Sequence, residues 1–158
     1  MNSEAKKAYC DTSVFGGVYD SEFQIPSNRF FKQVRCGIFN LIISPVVDAE
    51  ISDDNTPIEV KKVFKQHLKY AEIASVNQDE ILLQSAYLKE KNLTPKWEDD
   101  ALHVALATIH QCDKIVSWNF KHIVNFKKIP LYNAVNILNG YQSVAIYSPL
   151  EVVESDED

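Results

Sequence analysis

The chain has 158 residues, 46% of them hydrophobic and 24% charged, which predicts one globular domain with a core of its own and excludes a disordered or fibrous chain. Three widely spaced cysteines, no apolar signal segment and no apolar run of membrane-spanning length lead us to expect a cytoplasmic protein with free thiols. The net charge of −6, still −1 without the five acids of residues 151–158, excludes a broad positive field for nucleic acid and leaves only local basic patches or a metal to bind it.

The predicted elements alternate between strands and helices, which indicates βαβ units and a parallel sheet. The pair Ser44 and Pro45 has the cap chemistry of a helix start, and Thr56 with Glu59 forms the pattern of a capping box. The first half of the chain predicts a strand over 8–10 that ends at Asp11, a helix from Ser27 to about Cys36 stopped by Gly37, a strand over 40–43, a helix from 45 that carries Glu50, and a helix from 57 to about 70.

The second half contains the most regular helical pattern of the chain. Leu102, Ala105, Leu106 and Ile109 recur at helical spacing and predict one apolar stripe that faces the core. The predicted elements here are a helix from Asn77 to about 91, a helix over 97–111, a strand over 114–117, a helix over 133–139 and a strand over 144–147. We expect one domain over residues 1–150, followed by an acidic, disordered tail over 151–158.

Four polar residues follow or open these elements at comparable places. Asp11 ends the first strand, Asn119 follows the strand over 114–117, Glu50 lies on the helix after the second strand, and Asp100 opens the apolar helix. Ligands of open parallel sheets bind outside the carboxyl ends of the strands, so these side chains are expected to converge there. Grouped carboxylates repel unless a cation lies between them, and an all-oxygen set suits Mg²⁺ or Mn²⁺. Such an ion supplies what phosphodiester hydrolysis needs, although the residues alone do not separate RNA from DNA as the substrate.

Four segments resemble, in order and spacing, the sequence blocks of the PIN-domain proteins, above all the VapC-type toxins of prokaryotic toxin–antitoxin pairs and their unlinked bacterial relatives. The segments are YCDTSVFGG (9–17), ISPVVDAEI (43–51), DDALHVALA (99–107) and CDKIVSWNFKHIVN (112–125). The resemblance implies a three-layer α/β fold with a central, mainly parallel sheet. It further implies an Mg²⁺- or Mn²⁺-dependent endoribonuclease that leaves 5′-phosphate and 3′-hydroxyl ends, often as a homodimer and with an antitoxin protein as partner.

The resemblance also assigns residues. Asp11, Glu50 and Asp100 match the first three metal-binding acids of the family, and Thr12 or Ser13 matches the hydroxyl that supports the first of them. The fourth acid falls on Asn119, whose amide oxygen can bind a hard cation but adds no charge, so a second metal should bind more weakly.

Further residues are expected around these four. Neighbouring helix positions point about 100° apart, so Asp99 and Asp100 cannot both point at one ion, and Asp99 is expected only to support the site. Ser117 and His103 are also expected to support the site, since His103 lies at i+3 from Asp100. Basic residues that follow Asn119 are candidates for phosphate contacts, namely Lys121, Lys127 and Lys128, together with His122.

Two other functions compete with the nuclease. The first is a PIN-like binding module without strong catalysis that acts through a protein partner, which Asn119 and the negative net charge favour. The second is a metal-dependent phosphatase of another α/β class, which the sequence disfavours because Ser13 stands where the phosphatase motif needs a second aspartate.

Overall fold

The computed structural model describes residues 5–91 and 97–153. Within these ranges the strands are β1 (Lys6–Cys10), β2 (Phe39–Ile43), β3 (Ala71–Ile73), β4 (Lys114–Val116) and β5 (Ala145–Tyr147). They form one sheet in the order β3-β2-β1-β4-β5, and every neighbouring pair is parallel. The predicted parallel α/β sheet is therefore confirmed.

The helices lie in two groups that flank the sheet. They are α1 (Thr12–Gly17), α2 (Gln24–Arg35), α3 (Pro45–Ile51), α4 (Ile58–His67), α5 (Gln78–Lys91), α6 (Glu98–Ile109), α7 (Ile129–Leu138) and α8 (Pro149–Val152), with a 3₁₀ turn over Leu68–Tyr70. Helix α5 contacts α6 and α7, whereas α1 contacts α2, α3 and α4, and α8 packs on α2. This arrangement is the expected three-layer fold.

The middle strands are buried because both of their faces are covered by helices, as is usual for parallel sheets. Ala8, Tyr9 and Cys10 at the end of β1 are fully buried, and Leu41 and Ile115 lie beside them on β2 and β4. From β1 the chain builds β2 and β3 on one side and then returns to build β4 and β5 on the other. The carboxyl ends of β1 and β4 therefore form the switch point at which ligands of such sheets bind.

Several predicted boundaries were wrong. Helix α2 begins at Gln24, so Ser27 is not its cap but a buried residue that accepts a hydrogen bond from Trp118 Nε1 at 2.8 Å. The capping box predicted at Thr56 does not form, because the Thr56 hydroxyl donates to the carbonyl of Glu50 at 3.3 Å and α4 begins without a side-chain cap. Helix α7 begins at Ile129, four residues before the predicted start, since proline occupies its first turn.

Two elements at the edges of the fold were not predicted. Strand β3 is short and mostly exposed, so its sequence carries no apolar run. Helix α8 is held by a capping box between Ser148 and Glu151, and Val152 is buried. The disorder expected from residue 151 is therefore wrong for the helix, and residues 154–158 of that predicted tail lie outside the described residues. In residues 5–91 and 97–153 no helix has the length and apolarity that a membrane crossing requires.

Candidate active site

Asp11 lies at the carboxyl end of β1 and is held by two serine hydroxyls. It is only 4% exposed. Ser13 Oγ donates to Oδ1 at 2.6 Å, and Ser117 Oγ donates to Oδ2 at 2.7 Å. Each serine oxygen in turn accepts a backbone N–H, from Trp118 and Asn119 respectively, which fixes its hydroxyl as a donor toward the carboxylate. Ser13 and Ser117 are thus both in direct contact with Asp11, the acid that the sequence analysis expects them to support.

Glu50 projects from the last turn of α3 and is held by different partners. Thr12 Oγ1 donates to Oε1 at 2.9 Å, and His103 Nε2 lies 2.8 Å from the same oxygen. The adjacent hydroxyls of α1 are therefore divided between two acids, Ser13 for Asp11 and Thr12 for Glu50. A carboxylate only accepts hydrogen bonds, so Nε2 of His103 carries a hydrogen.

A buried chain of polar groups continues behind His103. The hydroxyl of Tyr9 lies 2.7 Å from His103 Nδ1 and 2.8 Å from Ser44 Oγ, and Ser44 also caps α3 through the backbone N–H of Val47. Tyr9 and His103 are almost completely buried, so each polar atom needs a partner inside the protein. The orientation of Glu50 is consequently fixed from β1 and from the start of α3 as well as from α6.

Asp100 lies in the first turn of α6 and pairs with the residue that replaces the fourth acid. Asn119 Nδ2 donates to Asp100 Oδ1 at 3.0 Å, and Asn119 Oδ1 accepts the backbone N–H of His122 at 2.9 Å. That backbone donor sets which end of the amide is oxygen. The oxygen that the sequence analysis offered as a metal ligand already accepts a hydrogen bond, and the nitrogen is the atom that faces Asp100.

The pKa values of the three acids are set by burial, by their hydrogen bonds and by the charges of their neighbours. Burial raises the pKa of Asp11, and the negative charge of Glu50 adds to this effect, against hydrogen bonds from the two serines and the charge of His103. Burial, together with the charges of Asp11 and Glu50, raises the pKa of Asp100 to about 6. Burial alone would raise the pKa of Glu50, but the hydrogen bonds and charge of His103 and the hydroxyl of Thr12 hold it below its usual value.

Burial and the neighbouring acids also set the pKa of His103. Burial alone would lower its pKa, but the bond to Glu50 and the charges of Asp11, Glu50 and Asp100 raise it above the usual value. The imidazole therefore lies within the field of all three acids and favours their ionised forms. His103 therefore contacts Glu50 directly, and its supporting role in the site stays a prediction.

Close to Asp100 in the fold, the ammonium group of Lys128 lies over the face of an aromatic ring. Lys128 Nζ lies 3.4 Å from the centre of the Trp97 ring and donates to the carbonyl of Lys121 at 3.0 Å. The His122 ring packs on Trp97 with ring centres 3.7 Å apart. We call Trp97, His122 and Lys128 the tryptophan clamp; it joins the start of α6 to the segment that follows β4.

The remaining predicted site residues are spread around this centre. Lys121, Lys127 and Asp99 are exposed, so the two lysines are accessible to a phosphate, while Asp99 lies on the solvent side of α6. Lys128 is already bound within the tryptophan clamp. Trp118, which follows Ser117, is buried, and its ring stacks on Phe23 with centres 4.1 Å apart.

The donors of this site fit a hydrated divalent ion better than a directly caged one. In the described ranges, no three side chains of histidine, cysteine, aspartate or glutamate lie close enough together to form a ready-made cage. Mg²⁺ keeps several waters and commonly uses only one or two protein carboxylates. Asp11 and Asp100 supply two carboxylates whose pKa values are raised mainly by burial, with the charge of Asp11 adding to the effect at Asp100, and a nearby cation would favour their ionised forms.

Comparison with known proteins identifies the fold. No family model matches the sequence, and no curated protein matches it. A chain of the VapBC2 complex of Rickettsia felis, bound to a DNA fragment from its promoter, is 16% identical with a TM-score of 0.60, over 90% of this chain and 98% of that chain. A chain of FitAcB from Neisseria gonorrhoeae is 11% identical with a TM-score of 0.58, over 92% and 99%. A chain of a toxin–antitoxin complex from Klebsiella pneumoniae is 17% identical with a TM-score of 0.54, over 73% and 88%. These likenesses confirm the PIN-like fold implied by the sequence resemblance and leave the activity to be argued from the site.

Sequence reasoning did not find Tyr9, Ser44 or Trp97 as parts of this site. Tyr9 was counted only as a strand residue, although a buried tyrosine hydroxyl needs a polar partner and so signals a network. Ser44 was identified as a helix cap, which it is, but its hydroxyl also contacts Tyr9. Trp97 carried no signal, because its partner Lys128 is distant in the sequence.

Proposed function

We propose that this chain is a divalent-metal-dependent endoribonuclease of the toxin–antitoxin type. The observation that carries the proposal is the convergence of Asp11, Glu50 and Asp100 around His103 at the switch point of a PIN-like sheet. We further propose that it acts in the cytoplasm as a homodimer and is restrained by an antitoxin protein. The toxin–antitoxin complexes among the structural neighbours support this partner.

The ion would be Mg²⁺ or Mn²⁺, held by Asp11 and Asp100 with Glu50 beside them. When bound, it would polarise a phosphoryl oxygen and lower the pKa of an attacking water. Hydrogen bonds from neighbouring side chains hold these acids in position. Ser13 and Ser117 hold both oxygens of Asp11, and Asn119 positions Asp100. Lys121 and Lys127, exposed just beyond β4, would contact the RNA backbone.

The direct test compares Asp11→Asn with Asp48→Asn. Asp48 is exposed on α3, the helix that carries Glu50. The control variant therefore also loses one negative charge, but at a position outside the candidate active site. We expect wild type and Asp48→Asn to cut a mixed RNA pool with Mn²⁺ and not with EDTA, and Asp11→Asn to lose the cleavage while remaining folded. Equal cleavage by Asp11→Asn would refute the assignment, and a single-stranded DNA pool tests the preference for RNA.

The second candidate is a binding module without strong catalysis, which the amide at Asn119 favours. It predicts neither cleavage nor a rise in melting temperature with Mn²⁺. Its partner would be found by purifying the chain together with the small protein encoded beside its gene.

The same purification tests the antitoxin partner of the proposed nuclease. If no small protein is encoded beside the gene, the toxin role is contradicted and the nuclease activity is not.

A further inference from the structure

An open cleft lies between α2 and α4, built from elements other than those that carry the acids. Its volume is about 570 Å³. Its walls are the last part of α2, the last part of α4 and the 3₁₀ turn that follows. Both helices end just before strands β2 and β3 begin, so the cleft lies toward the amino ends of these strands, whereas the acids lie at the carboxyl ends.

Three cations line the cleft and no described aspartate or glutamate does. They are Arg35, Lys65 and Lys69, each of them exposed. In a chain of net charge −6, a cleft whose charged side chains are all positive is a local positive patch. We call it the α2–α4 cleft.

The arginine of this cleft is oriented by an uncharged partner. Arg35 Nη1 lies 2.8 Å from His67 Nε2, and His67 Nδ1 lies 2.8 Å from the carbonyl of Val63. A carbonyl only accepts, so Nδ1 carries the hydrogen and Nε2 accepts from Arg35. Burial, followed by the charges of Arg35 and Lys69, lowers the pKa of His67, which keeps the imidazole neutral. Arg35 is thus held in place without losing its charge to a carboxylate.

Two aromatic rings pack beside His67, and one of them also lies under a lysine of the cleft. Phe31 packs on His67 with ring centres 4.6 Å apart, and half-buried Tyr70 lies 6.1 Å from His67 and under Lys69 Nζ at 5.3 Å. Phe31 is buried, so Tyr70 is the ring that this cleft leaves partly exposed. A positive groove with an exposed aromatic ring is a usual way to bind single-stranded nucleic acid without reading its sequence. The planar arginine fork also matches a phosphate group.

We propose that the α2–α4 cleft is an anchoring site for single-stranded RNA, in which Arg35, Lys65 and Lys69 bind phosphates and Tyr70 stacks on a base. The choice of RNA rests on the proposed nuclease function, but the binding itself does not require catalysis. The cleft would hold a part of the substrate chain away from the bond that is cut.

The test measures binding in EDTA, where the metal-dependent cleavage cannot occur. The probe is a fluorescein-labelled oligoribonucleotide of about 12 nucleotides, followed by anisotropy at several salt concentrations. The variants are Arg35→Gln and Lys69→Gln, with Lys89→Gln as a control of equal charge on the exposed surface of α5. Glutamine at position 35 stays polar but removes the charge, and melting temperatures verify that each variant is folded.

We expect Arg35→Gln and Lys69→Gln each to raise the Kd about three- to tenfold and to lower the salt slope by about one, with Lys89→Gln unchanged. Arg35→Lys should fall between wild type and Arg35→Gln, because it keeps the charge and loses the fork. The proposal is overturned by wild-type binding in both cleft variants, by an equal loss in Lys89→Gln, or by no binding to wild type. It is also overturned if an oligoglutamate of equal length competes as well as unlabelled RNA, since the cleft would then accept an acidic peptide. None of these results bears on cleavage at Asp11, so failure here is distinct from failure of the proposed nuclease.

Discussion

Replacing Gly17 with alanine should destabilise the protein by overpacking the base of the site. A Cβ at this position would lie 2.5 Å from Ser27 Oγ and 2.7 Å from Trp118 Nε1. Neither group can move easily, because they are hydrogen-bonded to each other and the tryptophan ring is stacked on Phe23. Overpacking of a buried site costs about 1–3 kcal/mol and loss of the hydrogen bond about 1 kcal/mol, while alanine recovers about 0.5–1 kcal/mol of helix propensity. The expected net loss is about 2 kcal/mol, or a melting temperature lower by about 4–8 °C in a domain of this size.

The neighbouring glycine provides the matched control. A Cβ at Gly16, in the same helix, has no atom within 4 Å, so Gly16→Ala should be neutral or stabilising by up to about 1 kcal/mol. Urea unfolding of both variants measures the difference. If Gly17→Ala is as stable as Gly16→Ala, the packing of Trp118 against α1 is not as described. Because Trp118 also donates its backbone N–H to Ser13, Gly17→Ala should further weaken the metal response of Asp11.

Three further changes test other contacts. The pKa of His67 is lower in the folded protein than in the unfolded chain, so the stability that its neutral form contributes is present above the ordinary pKa of histidine and is lost as the pH falls below it. Urea unfolding at pH 7.5 and 5.5 should therefore show a smaller loss of stability at the lower pH in His67→Gln than in wild type. Lys128→Met removes the cation from the ring of Trp97 and should lower stability by about 1 kcal/mol, and an unchanged melting temperature would show that the tryptophan clamp contributes nothing. Asn119→Asp places a carboxylate where an amide now donates to Asp100, so the melting temperature in EDTA should fall and the rise on adding Mn²⁺ should grow; an unchanged Mn²⁺ response would contradict this arrangement.

The sequence predicted the convergence of the acids because that depends on topology. Asp11 and Asn119 follow strands whose apolar runs are clear, and parallel strands bring their carboxyl ends to one edge. Glu50 and Asp100 were placed from the helix starts at Pro45 and near Trp97. Strand β3 was missed because a short edge strand with exposed side chains has no apolar pattern.

The partners within the site could not be predicted in this way. The bonds from His103 to Tyr9 and from Ser13 to Trp118 join residues about a hundred positions apart, and they depend on rotamers fixed by packing. Likewise, the amide of Asn119 offers an oxygen or a nitrogen, and only the fold, through the backbone of His122, decides which one faces Asp100.

The negative charges of Asp11, Glu50 and Asp100 are balanced to different degrees by neighbouring groups, and this predicts how much each acid contributes to metal binding. Glu50 is paired with His103, and its pKa is held low, whereas Asp11 and Asp100 have raised pKa values. A cation should therefore bind most strongly near Asp11 and Asp100, because burial disfavours their ionised forms and a positive charge offsets that cost. We expect Asp11→Asn and Asp100→Asn to abolish most of the Mn²⁺-induced rise in melting temperature, and Glu50→Gln to reduce it less. Calorimetric titration with Mn²⁺ should rank the three affinities in the same way. If Glu50→Gln causes the largest loss, Glu50 leaves His103 when the ion binds, and the paired state described here is not the one that holds the metal.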